Sequence, residues 1–136
     1  MAAVIFDGTG KVLLGKRKEN GLWGVPAGRV EPTETVEEAL RREVREETNL
    51  EIEVDRLIGV YSDPAFEIIR YSDGEVVHYV TPCFRCTVTG GRLRADGIEF
   101  SRVAFFAPND LPPDLLPMHP RWLSDALCPQ SIAFVR

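Results

Sequence analysis

The stretch TVEEALRREVREETNL, Thr35 to Leu50, restricts what this chain can fold into more than any other. Thr35 followed three residues later by Glu38 is a capping box, each side chain serving the other's main-chain N–H, so a helix is predicted to start at Val36. Asn49 marks its end, because Asn is the usual replacement for Gly where the residue past a helix takes a left-handed backbone. At about 100° per residue, Val36, Ala39, Leu40, Glu43, Glu46, Glu47 and Leu50 share one stripe, while Glu38, Arg41, Arg45 and Thr48 occupy the other side. Three carboxylates therefore continue the apolar face. An acidic cluster on a helix is ordinarily a solvated surface, but here Arg41 and Arg45 already supply that surface.

Carboxylates turned inward lose hydration and repel one another, at a cost of several kcal/mol per ion unless something compensates. A hard divalent cation compensates best: Mg2+ or Mn2+ takes oxygen ligands, keeps several waters, and is held by one or two carboxylates together with substrate phosphates. The spacing thus predicts a metal site on the inner side of the helix. Arg42, beside Glu43 and one turn before Glu46, can orient a carboxylate; the ordinary reading of such a pair is a weak surface bridge.

Around this helix the chain alternates short elements without repeats. AAVIF (2–6) and KVLLGKR (11–17) read as a hairpin joined by Asp7-Gly8-Thr9-Gly10. Residues 21–34 read as an ordered loop rich in Gly and Pro. Strands are predicted at about 51–63, 67–71, 76–89 and 100–106, no regular structure in NDLPPDLLPMHP, and a short terminal helix from Arg121. With 136 residues and 44% hydrophobic composition, one domain is expected. The chain opens inside its first strand, so a short leading segment is expected to be missing.

A net charge of -5, from 16 Lys+Arg against 21 Asp+Glu, argues against nucleic acid or an anionic membrane as partner unless a cation mediates. No apolar run approaches the roughly 20 residues needed to span a bilayer as a helix. The cysteines Cys83, Cys86 and Cys128 are odd in number and point to a reduced, cytoplasmic setting. Cys83 and Cys86 form a C-x-x-C, but inside a strand residues three apart face opposite ways, and no further Cys or His pair lies near for zinc. His78 and His119 have no partners at metal or hydrolase spacing.

The segment GRVEPTETVEEALRREVREETNL, Gly28 to Leu50, closely resembles the signature of the Nudix hydrolases: Gly, five residues, Glu, seven residues, Arg-Glu, an apolar residue, any residue, Glu-Glu, any residue, Gly, apolar. Gly28, Glu34, Arg42, Glu43, Val44, Glu46, Glu47 and Leu50 hold their places, and Asn49 departs by standing for Gly. Upstream, LLGKRKENGLWGVPAG carries the family's Leu-x-x-Arg and Trp-x-x-Pro-x-Gly; downstream, GIEFSRVAFFAPNDLPP resembles its Glu-containing loop, aromatic strand and Leu-Pro turn. The resemblance implies an α/β/α sandwich, with a mixed sheet between the signature helix and a C-terminal helix. It also implies hydrolysis of a nucleoside diphosphate linked to another moiety by water attack at phosphorus, aided by Mg2+ for which Mn2+ can substitute.

By the same resemblance Glu43, Glu46 and Glu47 are metal ligands, and one of the last two is also the base. The Ala27 carbonyl is a backbone ligand, and Gly28 permits its close approach. Glu34 reaches the metal or substrate through water, Arg42 fixes the carboxylates, Glu99 is a further ligand or base with an exposed loop acid as its plain reading, and Arg17 touches phosphate. Trp23 is read as packing. Tyr61, Phe66, Tyr71 and Tyr79 can stack a base or fill the core. Tyr61-Ser62-Asp63-Pro64 places a proline near where ADP-ribose-cleaving members have one. The expected partner is a small nucleotide, with the protein a monomer or homodimer; the alternative is a nucleotide sensor without turnover, which usually lacks box carboxylates or carries a DNA-binding domain.

Overall fold

A computed structural model describes residues 1–136. Strands β1 (Ala2–Phe6), β2 (Val12–Arg17) and β3 (Trp23–Gly24) lead to helix α1 (Val36–Thr48), followed by β4 (Leu50–Tyr61), α2 (Pro64–Glu67), β5 (Ile68–Arg70), β6 (Val76–His78), β7 (Thr81–Gly91), β8 (Phe100–Phe106), α3 (Trp122–Leu127) and β9 (Phe134–Val135). The main sheet runs β3-β2-β1-β7-β4-β9, with β8 also on β2. It is mixed: β1 runs parallel to β7 and β9 parallel to β4, and the other pairs are antiparallel.

Alternation along β1 separates two cores. Ala2, Val4 and Phe6 face one side, where Trp122 and Ala126 of α3 pack with Ile58. Ala3 and Ile5 face the other, where Leu40 and Val44 of α1 pack with Leu13 and Ile52. A helix thus covers each face, giving the α/β/α sandwich. Cys83 joins the first core and Cys86 the second, as the period-two rule requires, and both thiols are free.

The caps of α1 form as the sequence dictates. Thr35 and Glu38 exchange the capping-box hydrogen bonds, and Asn49 takes φ 60° and ψ 23°, its N–H donating to Arg45 O. Asn49 Nδ2 also donates to Arg92 O at 2.7 Å. Replacement of Asn49 by Gly relieves the left-handed strain and loses that one bond, so it is expected to change stability by no more than about 1 kcal/mol in chemical denaturation and to leave turnover intact.

Several elements differ from expectation. The buried face of α1 is Ala39, Leu40, Val44, Glu47 and Thr48, rotated from the predicted stripe toward Val44. Thr48, assigned to the outer side, is buried with its Oγ1 donating to Val44 O at 2.6 Å. Glu46, assigned to the inner side, is exposed. Arg41 is half-buried, its guanidinium donating to Ile52 O as well as Glu37. A rotation of about 60° accounts for all four, because a helix shows which residues share a side but not which azimuth the sheet will cover.

The predicted strand 76–89 is two strands broken at Tyr79 and Val80, while the strand predicted at 67–71 forms as β5, preceded by an unpredicted turn of helix. Pro64 opens that turn behind Asp63, whose side chain accepts from Ala65 N–H. The antiparallel β4–β7 ladder closes at Tyr61 paired with Thr81, so residues 62–80 leave the sheet as an excursion folded on itself, β5 against β6. Strand β9 escaped prediction altogether. It is anchored by Arg136, which is paired with buried Asp125 at 2.9 Å, while Tyr61 OH donates to the same carboxylate.

Candidate active site

The loop between β3 and α1 is fixed from below: Ala27 bridges Ala2 in antiparallel fashion, and Gly28 N–H donates to Met1 O at 3.1 Å. Gly28 then passes so close to α1 that a Cβ there would fall inside the Glu43 carboxyl. Its lack of a side chain is what lets Glu43 lie against the loop. Both residues line a cleft of about 510 Å³ that runs past Arg17, Glu99 and Phe66 to Met118.

Arg42 ties the loop to the helix. Its guanidinium donates to Glu34 Oε1 at 2.6 Å and Oε2 at 3.1 Å, to Glu43 Oε1 at 3.0 Å, to Glu46 Oε2 at 3.4 Å and to the Arg29 carbonyl at 3.0 Å. Hydrogen bonding from Arg42 holds Glu34 below the usual glutamate range. Glu34 is turned to Arg42 and to Glu31 N–H, away from the cleft. Glu46 has its side chain 60% exposed and lies outside the lining of the cleft.

Glu47 is different. It is 2% exposed, and neither carboxylate oxygen has a hydrogen-bond partner. Burial, and next the adjoining Glu99, push its carboxyl up to about 9, with Glu43 adding to the effect and Arg17 opposing it. Glu99 is delivered by a short loop that Asp96 organises, accepting from the N–H groups of Ile98, Glu99 and Phe100. Arg17 is delivered by a register shift between Lys16 and Arg17 in the β2–β8 ladder, and its buried Nε is also unpaired. Asp96 was missed in the sequence, although Asp-Gly before an apolar strand is a loop signal that would have pointed to it.

A buried carboxylate with two free oxygens beside a second carboxylate is a donor set suited to a hard cation. Nevertheless, no three acidic, histidine or cysteine side chains converge as a ready-made cage. Glu46 points outward and Glu43 is engaged by Arg42. The arrangement fits a hard divalent ion that takes few protein ligands and completes its shell with water and substrate oxygens.

The chain matches the model of the NUDIX domain over residues 1–126. It belongs to the Nudix family. It is a Nudix hydrolase, of the enzyme class that acts on pyrophosphate bonds. Among its relatives are a MutT-like protein of Streptomyces ambofaciens, 32% identical over 93% of this chain and 75% of that protein, and an ADP-ribose pyrophosphatase of Methanocaldococcus jannaschii, 43% identical over 79% of this chain. The match spans 61% of the latter's length. The crystal structure of an ADP-ribose pyrophosphatase from Streptococcus suis shares the fold, with a TM-score of 0.78 over 99% of this chain and 96% of that one at 24% identity.

The Nudix cleft also settles the aromatic residues. Tyr61 is core, whereas Phe66, Tyr71 and Tyr79 line the cleft. Tyr71 and Tyr79 join hydroxyls at 2.5 Å, and Arg29 donates to Tyr79 OH at 2.8 Å. Trp23 packs edge-on against Phe106 at 5.0 Å. His119 sits between the Tyr61 and Phe66 rings, and His78 Nε2 meets the Ser62 carbonyl at 2.8 Å; neither lines the main cleft with Glu43 and Glu99.

Proposed function

We propose that this protein hydrolyses the pyrophosphate bond of a nucleoside diphosphate joined to a second moiety, water attacking phosphorus in the presence of Mg2+, for which Mn2+ substitutes. The observation that carries this reading is Glu47, a buried carboxylate with two unpaired oxygens set against Glu99. When bound, the cation neutralises phosphate charge and lowers the pKa of the attacking water. Glu43 and Glu99 offer oxygens in the cleft with the Ala27 carbonyl as a main-chain donor, Glu47 lies buried against Glu99, and Glu46 would have to turn inward to join them. The acceptor for the proton of water is drawn from the same carboxylates, Glu47 with Glu99 against it. Arg42 holds Glu43, Glu46 and the Gly28–Arg29 loop in one geometry, and Arg17 faces the cleft to meet phosphate. A relative that is an ADP-ribose pyrophosphatase supports the substrate class. The free thiols Cys83, Cys86 and Cys128 support a reducing, cytoplasmic setting.

Hydrolysis in water enriched in heavy oxygen tests the reaction directly. With Mg2+ present, one phosphate-bearing product is expected to carry one label, placed by mass spectrometry on the phosphorus that was attacked, and chelation should abolish turnover. A protein that binds a broad panel of nucleotides with Mg2+ or Mn2+ yet cleaves none is a sensor instead.

A further inference from the structure

Glu67 ends the helical turn at the start of the 62–80 excursion, yet its side chain turns inward. Oε2 accepts a hydrogen bond of 2.7 Å from Thr81 Oγ1, at the beginning of β7. The carboxylate also lies close enough to Cys83 to add to the burial that pushes that thiol up to about 12. It borders both the main cleft and a smaller recess of about 60 Å³ beneath it, and Val25, Phe66 and Met118 stand nearby as walls. No cation pairs with it, in contrast to Glu34, Glu43 and Glu51.

An ionised carboxylate is an acceptor only, with about four lone-pair directions, and Thr81 uses one. The others face a partly open cleft with an aromatic and several aliphatic walls, where the Met1 ammonium is close enough to feel the carboxylate's charge, and they remain open to donors from a ligand. Flat apolar walls with one well-placed polar group suit a heterocycle, and a base taken out of a stack is read by hydrogen bonds to its pairing edge between such walls. Among base edges, the exocyclic amino groups of adenine, guanine and cytosine are donors, whereas a carbonyl oxygen there would oppose the carboxylate.

We propose that Glu67, oriented by Thr81, reads the exocyclic amino group of the substrate's nucleobase, so that the cleft favours amino-bearing bases over their deaminated counterparts. The assignment rests on the pyrophosphohydrolase reading above and goes beyond it in naming the part of the substrate recognised. It places base recognition on an element apart from the glutamates of α1.

Matched pairs test it: ADP-ribose against its inosine analogue, GTP against XTP, and CTP against UTP, each with Mg2+. In the pair turned over fastest, kcat/KM is expected to favour the amino-bearing member by about 10- to 100-fold, the scale of a hydrogen bond to a charged group, chiefly through KM. Glu67→Gln, whose amide can donate to a carbonyl, should shrink that ratio to within about 3-fold while kcat for the favoured member stays near the parent's. Wild-type ratios near unity in all three pairs would overturn the assignment without needing any variant. So would a Glu67→Gln protein that slows both members alike. Cleavage without base discrimination sinks this inference alone; absence of all cleavage sinks the pyrophosphohydrolase reading, and the same ratios are then read as dissociation constants by titration calorimetry.

Discussion

Glu47→Gln is expected to lower turnover at least ~100-fold, the scale lost with a general base or metal assistance, while leaving the metal-free protein as stable as the parent or more so. The two expectations have one cause. Glu47 is buried with both oxygens unpaired, and its raised pKa measures how poorly the folded protein tolerates the charge at that place. An amide of the same size removes that cost and can donate to Glu99, but it supplies no charge to a cation. Thermal melts with and without Mg2+ separate the effects: the cation should raise the melting temperature of the parent and do little for the variant, because only binding to the native state stabilises it. A variant that keeps a third of parental activity would remove Glu47 from the chemistry.

Gly28→Ala is the second large effect, and it acts without removing any charge. The new methyl would occupy the space of the Glu43 carboxyl, which Arg42 holds from the other side, so either the side chain or the loop must move. A displacement on the order of 1 Å at a reacting centre is enough for about 100-fold in rate. Gly28 lies on a partly exposed loop, outside both hydrophobic cores, and the melting temperature should change little by comparison. The mechanism is checked by a double-mutant cycle: in a Glu43→Ala background, which empties the space the methyl needs, Gly28→Ala should cost far less than it does alone. Full additivity would mean that the loop matters for some reason other than Glu43.

Legibility in the sequence followed the range of the interactions. Thr35, Glu38 and Asn49 act on their own helix ends, and their local chemistry was sufficient to place both caps. The opposite burial of Cys83 and Cys86 likewise follows from strand periodicity alone. Which flank of α1 would face the sheet depends on residues elsewhere, and Thr48 and Glu46 were accordingly assigned to the wrong sides. Pairing between β1 and β7 joins segments some eighty residues apart and leaves no local trace. The same holds for the cleft. Arg42 could be matched to its glutamates by sequence spacing, but Glu67 with Thr81, or Arg29 with Tyr79, come together only through the closure of the β4–β7 ladder.

That ladder has an evolutionary consequence. Its last pair, Tyr61 with Thr81, completes the sheet before the excursion begins, so the length and composition of residues 62–80 can change without altering any strand of the main sheet or any glutamate of α1. Lengthening such a segment is penalised mainly by loop closure, at about 0.6 kcal/mol for each doubling. Descendants of a common ancestor can therefore exchange one recognition hairpin for another while inheriting the hydrolytic apparatus unchanged, and selection on what is cleaved proceeds separately from selection on how.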